Sequence, residues 1–290
     1  MFIFVSVLTI KTNHMKFVNR AQAKKSTGLS YLGTTEISSK LLKNKKVNNI
    51  MTYCIYVAPA KTSGYEVCPN RTKECTAGCL ATSGRVKMEN ETRTIISDAR
   101  LKKAKLFVEH KDFFMGWVIA EITAYKFKAE RLGYGFAIRI NGTSDIDLNT
   151  LKINGFTLFE IFPDVQFYDY TKQYSRFENI PENYHLTFSY SGRNIEQAKN
   201  LLQRGFNIAV VFDTKKGKDF PKTFLGYPVI DGDLTDYRPF DQKNSVVGLR
   251  WKTIKDKMIN EQIKSSVFCV NEKSDFCKEF EISETLMELA

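Results

Sequence analysis

Histidine is scarce in this chain: His14, His110 and His185 are the only three in 290 residues, and no two of them are near each other in sequence. A zinc site built on paired histidines therefore has no local basis. The G-x4-GK[ST] phosphate loop, the G-x-G-x-x-G dinucleotide fingerprint and H-E-x-x-H are missing as well. ATPase, dinucleotide and zincin chemistry are left without their residues. Six cysteines are too few and too unevenly placed for a secreted disulfide framework. They favour a reducing compartment, the cytoplasm. The apolar opening Met1 to Ile10 lacks a basic flank and a small-residue cleavage site and is far too short to cross a bilayer, so no membrane role is expected. A more ordinary soluble sequence begins at Met15, leaving residues 1–14 as an upstream start or a short added strand. No internal repeat or low-complexity tract is present.

What remains is a globular composition, 43% hydrophobic, 26% charged and 13% aromatic, enough for a full core in one domain. The formal charge of +11 favours phosphate-rich partners such as nucleic acid; a merely solvated lysine-rich surface gives the same number.

Residues 16–48 are basic and polar, broken by Gly28 and Gly33, and read as an N-terminal arm (1–48). Ile50 to Pro59 reads as the first strand, with Cys54 a packed core thiol. From Glu91 to Arg131 apolar residues recur every three to four positions, predicting two consecutive helices that end at Gly133 and Gly135. Strand character returns at 136–140, 165–170, 184–190, 207–212, 228–231 and 246–251, with a short helix over 195–205. Such β-loop-α-β order builds parallel sheets, because a parallel partner needs a long connection. The expected fold is α/β, a complete or partial (β/α) barrel over 49–255, followed by a C-terminal extension (256–290) packed on it. An open doubly wound sheet is the alternative.

The most unusual stretch is a cysteine loop at 67–84, where Cys68, Cys75 and Cys79 stand in a C-x6-C-x3-C pattern. Thiolates are soft ligands suited to iron–sulfur clusters and zinc. Three of them leave a four-iron cluster one ligand short, open to a small molecule, whereas structural zinc wants a fourth Cys or His. No histidine is nearby, so ligand count favours a 4Fe-4S cluster; zinc, or thiols with no metal, are the other readings. Cys269 and Cys277 are the remaining candidates for a fourth ligand.

Nearly every expected strand runs into polar residues at its C-terminal end, the edge where barrels and doubly wound sheets carry their sites. Arg139, Tyr170, Lys172, Ser189, Asp213, Asp231, Asp233, Asp236, Arg250 and Lys252 fall there. The turn Asn141-Gly142-Thr143-Ser144-Asp145 has small residues and backbone donors able to cradle a carboxylate or phosphate, with Asp145 suited to an ammonium or ribose hydroxyl. His185 lies mid-strand and reads as packed.

The segments VCPNRTKECTAGCLATSGR, RINGTSDI, FPDVQFYDYTK, LTFSYSG, VIDGDLTD and VVGLRWK, spread over residues 27–255, resemble bacteriophage proteins of the gene-product-88-like type. These in turn look similar to radical S-adenosylmethionine (SAM) enzymes. The resemblance implies a 4Fe-4S cluster on Cys68, Cys75 and Cys79 and SAM held at Asn141, Gly142, Thr143, Ser144 and Asp145. The loop is longer than the usual C-x3-C-x2-C, and Gly78 stands where an aromatic commonly precedes the last cysteine. Lys172, Ser189, Asp213 and Asp233 would line the substrate pocket, in a protein of the host-cell cytoplasm. The other expectation is a non-catalytic nucleic-acid-binding protein whose metal loop is structural.

Overall fold

The structure, a computed structural model, describes residues 18–36, 38–79, 86, 88–90, 94–254 and 256–278. The short strand considered for 1–14, the end of the cysteine loop and the last part of the C-terminal extension lie outside the described residues.

The N-terminal segment begins with α1 (Arg20–Thr27), capped by the Asn19 side chain and ended by Gly28 at φ 69°. Next come the two-residue strand β1 (Gly33–Thr34) and α2 (Ser39–Asn48), the latter capped by Ser38 and stopped by Asn49 in the left-handed region. The segment read as an arm is thus part of the body. Buried Glu121 accepts from Leu32 N–H, Gly33 N–H at 2.9 Å and the Tyr53 hydroxyl at 2.8 Å, while Lys103 donates to the Leu32 carbonyl. A buried carboxylate is tolerable when so many donors meet it.

β2 (Ile50–Ile55) leads into the cysteine loop, which carries the one-turn helix α3 (Lys73–Ala77). The expected helix pair is α4 (Ile95–Glu109) and α5 (Lys111–Arg131), followed by β3 (Gly135–Arg139). The chain continues through α6 (Leu158–Ile161), β4 (Gln166–Thr171), β5 (Tyr184–Ser189), α7 (Ile195–Gln203), β6 (Ile208–Phe212), β7 (Thr223–Phe224), β8 (Tyr227–Asp231) and β9 (Val246–Arg250). It closes with α8 (Lys257–Lys264) and β10 (Cys269–Val270).

All ten strands form one mixed sheet in the order β1-β2-β3-β4-β5-β6-β9-β8-β7, and β10 also joins β6. From β2 to β8 neighbours are parallel; β1 and β7 are antiparallel additions at the two ends. Among the described residues the two end strands do not pair, so the sheet is open. β2 to β6 are laid down in sequence order, which brings their C-terminal ends to one rim.

The period-two alternation of the strands separates two faces. Tyr53, Ile55, Ile138, Phe167, Leu186, Phe188, Ile208, Val210 and Phe212 face the main core with Trp117, Val118 and Ile122 of α5 and Leu201 of α7. Ala137 and Tyr168 belong to a much smaller cluster with Tyr237 on the other face. That second face is polar: Asn44 of α2 donates to both Thr52 Oγ1 and Tyr168 Oη at 3.0 Å. His185 is half-buried on β5, and burial pushes its imidazole down to about 4, with Arg238 and Lys243 adding to the shift. Among the described residues no helix is long and apolar enough to cross a membrane.

Candidate functional site

Leaving β2, the chain turns at Ala60, and Val67 N–H closes the turn on the Ala60 carbonyl at 3.1 Å. Glu66 then fixes the loop twice: it accepts Cys68 N–H at 2.8 Å and pairs with Arg71 at 3.0 Å. Thr72 caps α3 by accepting Cys75 N–H, which sets the second cysteine in the first helical turn. On the same helix Glu74 pairs with Arg193 at 2.7 Å, tying the loop to the segment after β5. Gly78 precedes the third cysteine in a tight place: a Cβ there would stand 2.6 Å from the Trp251 ring and 2.9 Å from the end of Ile263, so those side chains would have to shift.

Cys68, Cys75 and Cys79 all line one cavity of about 210 Å³. Burial pushes the Cys68 thiol up to about 11; an Ala60 N–H at 3.5 Å opposes the shift, and Cys79, Asp145 and Cys75 add to it. Among the described residues no three His, Cys, Asp or Glu side chains form a metal-holding group as they stand. Cys269 and Cys277 do not line this cavity. Cys269 is buried in β10, and Cys277 contacts Ser274 Oγ and the Asn271 carbonyl.

The Asn141 to Asp145 turn stands beside the cysteine loop on the same rim. Gly142 N–H donates to the Ile55 carbonyl at 2.9 Å, Thr143 Oγ1 to the Val57 carbonyl at 2.6 Å and Asp145 N–H to the Val67 carbonyl at 2.8 Å. The Cys68 thiol lies 3.9 Å from the Thr143 carbonyl. Only glycine can occupy position 142, where a Cβ would come 2.5 Å from the Ile55 carbonyl oxygen. Asn141 is wholly occupied in shaping the turn, donating to Asp169 and the Ile146 carbonyl and accepting from Ser144 Oγ and Ile146 N–H. Among the described residues the backbone N–H groups of Thr143 and Ser144 have no acceptor.

Asp145, expected to receive a ligand ammonium or hydroxyl, also holds the turn in place. Its carboxylate accepts from Thr171 Oγ1 at 2.7 Å, Lys172 N–H at 2.9 Å, Gln173 Nε2 at 3.2 Å and Arg176 Nη1 at 2.8 Å. Three of these donors converge on Oδ1 and one on Oδ2, so Oδ2 keeps an acceptor direction at a residue that also lines the cavity.

Of the four residues expected around a substrate, Lys172, Ser189 and Asp233 line the cavity. Asp213 does not. Its oxygens accept from Asn271 Nδ2 at 2.8 Å and Glu272 N–H at 3.3 Å, which anchors the C-terminal segment where β10 joins β6. Asp233 is shared by Arg250 at 3.4 Å and Lys252 at 3.6 Å. Lys40, in sequence one lysine of the basic stretch 16–48, is brought by α2 to line the cavity, 3.2 Å from Asp236. The Asp236 carboxylate also meets Arg139 at 2.5 Å. Burial would raise its pKa, but Arg139, Lys40 and Arg238 outweigh that and hold it well below the carboxylate range. Phe268 and Trp251, from the expected extension and the end of the sheet, close the cavity on the side of Gly78.

The gene product 88 family matches residues 17–272. The chain belongs to that family. The matched span takes in every residue that lines the cavity and stops before Cys277. No curated protein and no solved structure matches the chain.

Proposed function

We propose that this gene product 88 protein is an iron–sulfur enzyme of the radical SAM type, working in a reducing cytoplasm on a partial (β/α) barrel formed by β2 to β6, β9 and β8. The observation that carries it is the meeting of three thiols and a turn with two unclaimed amides in one cavity at the C-terminal rim. Donor softness and count fit a 4Fe-4S cluster on Cys68, Cys75 and Cys79 with one iron left for a ligand. When bound, such a cluster supplies the electron that cleaves SAM to start radical chemistry.

The chain's own residues do the rest. Thr143 and Ser144 N–H receive the carboxylate of the methionine end, as successive backbone amides receive anions generally. Asp145 keeps that turn oriented through Arg176 and the backbone of Lys172. Trp251, packed against Gly78, shields the loop from water, and Lys172, Ser189 and Asp233 face the substrate space.

The test is anaerobic purification followed by iron and sulfide analysis, visible spectra and SAM titration by calorimetry. Near-stoichiometric four-iron content with SAM binding is expected. Stoichiometric zinc without sulfide would overturn the cluster and leave a metal-stabilised protein whose +11 charge suits nucleic acid. A cluster with no affinity for SAM would leave a cluster-bearing binding protein.

A further inference from the structure

The same cavity has a second pole that the cluster and the turn leave unused. At its floor one carboxylate, Asp236, serves two cations: Arg139 at 2.5 Å and Lys40 at 3.2 Å. The Asp236 and Arg139 side chains are 2% and 9% exposed, and that of Lys40 is 25% exposed where it borders the cavity. One carboxylate shared by two cations cannot engage all of their donors, and a donor left unpaired in a poorly solvated place is costly unless an anion completes it.

Unmet donors stand around that carboxylate. Arg139 lies over the Tyr170 ring at 4.8 Å, and its Nε is buried without a hydrogen bond. The Tyr170 hydroxyl is likewise buried without a partner. Lys172 lines the cavity beside them, and among the described residues its ammonium meets no acid. Arg250 and Lys252, which also line the cavity, are already claimed by Asp231 and Asp233. An oxyanion seated among Lys40, Arg139, Tyr170 and Lys172 would supply acceptors to these donors.

We infer that the substrate of this cavity carries an anionic group, a phosphate or a carboxylate, which docks on Lys40, Arg139, Tyr170 and Lys172. This deepens the proposed function by naming the substrate class and rests on the cavity being the substrate site, but it needs no bound cluster. A phosphate and a carboxylate offer the same charge-assisted acceptors; three phosphate oxygens suit the three cations better than two carboxylate oxygens do.

Binding of inorganic phosphate and of acetate is measured by calorimetry on the full chain, metal-free and cluster-loaded, at fixed ionic strength with chloride balancing the salt. One anion is expected to bind in both forms, and the tighter of the two identifies the group. Tyr170→Phe, which keeps the ring under Arg139, and Lys172→Met should each weaken that binding about tenfold or more, the loss typical of a hydrogen bond to a charged group. Lys46→Met, on the exposed side of α2, should leave it unchanged. Equal binding in wild type and Tyr170→Phe, or no binding of either anion, overturns the inference. Should Lys172→Met fail to fold, Tyr170→Phe decides alone. Anion binding that persists in a protein without iron and sulfide separates this inference from failure of the radical SAM proposal.

Discussion

Asp145 and Arg176 form a buried ion pair, Oδ1 to Nη1 at 2.8 Å, with the Arg176 side chain fully enclosed. Arg176 also donates to the Tyr184 hydroxyl, which donates to Asp169 at 2.9 Å, and Asp169 in turn receives Asn141 N–H. A single polar chain thus runs from the 3-10 turn after β4 through β5 and β4 into the Asn141 turn. Replacing Asp145 with Asn should therefore act first on stability, because it removes the nearest charge facing a buried guanidinium and leaves Asp147 at 3.7 Å as its remaining ion-pair partner. Breaking a buried pair from one side costs about 3–5 kcal/mol. Denaturant unfolding of the metal-free protein should register that loss, and SAM affinity should fall with it. A variant with normal stability and lost affinity would return Asp145 to direct ligand contact.

His185 gives a pH dependence of definite sign. Burial, aided by Arg238 and Lys243, pushes its pKa down to about 4, from an unfolded value near 6.5. Between those values the unfolded chain binds more protons than the native one, so stability is full above about pH 6.5 and drains away as pH falls towards 4. The contribution lost is on the order of 2–3 kcal/mol at pH 4, from about 1.4 kcal/mol per unit. His185→Leu should lack this slope, which then appears in the difference between wild type and the variant. Parallel stability curves for the two proteins would mean that His185 is solvated.

A side chain at Gly78 should cost stability. An alanine at this position would place its Cβ 2.6 Å from the Trp251 ring and 2.9 Å from Ile263, both well inside contact distance. Ile263 is buried in α8, so the helix must shift or the loop must move outward. Overpacking of this kind typically costs about 1–3 kcal/mol. Gly78→Ala should lower the melting temperature, and Trp251→Leu should recover part of the loss. Absence of any recovery would place the strain elsewhere.

How much of this could be read in the sequence follows from how local each feature is. The seven expected strands appear as β2, β3, β4, β5, β6, β8 and β9, because each is an apolar run closed by glycine, proline or polar residues. β1, β7 and β10 are two residues long and too short to show any period. The cysteine spacing and the small-residue turn could be read because they are contiguous, and two connected strands bring them together. Lys40 could not: on sequence alone it is one lysine among several in a basic stretch. Its place at the cavity floor depends on α2 lying across the polar face, where Asn44 reaches Thr52 and Tyr168. The Asp145–Arg176 pair was hidden for the same reason, since its partners are 31 residues apart with a strand between them. A faint signal did exist at Gly78, where a glycine replaces the aromatic that the resemblance leads one to expect; Trp251 supplies an aromatic ring against that position from another strand end.

The cysteines should divide sharply into two sets. Cys68, Cys75 and Cys79 share the cavity, whereas Cys54 is buried on β2, Cys269 in β10, and Cys277 is engaged by Ser274 and Asn271. Burial pushes the Cys54 and Cys269 thiols up to about 12, as expected of small core hydrophobes, and ligation requires the thiolate. Removing any one loop thiol takes away a third of the proposed ligands, so Cys68→Ala, Cys75→Ala and Cys79→Ala should each lose most of the iron and sulfide bound anaerobically. The double variant Cys269→Ala/Cys277→Ala should retain both at the wild-type ratio, because neither side chain lines the cavity. Melting curves of the metal-free variants separate ligand loss from misfolding. Iron lost from a folded Cys269→Ala protein would identify Cys269 as a fourth ligand, and with the cluster so closed there would be no iron left for SAM.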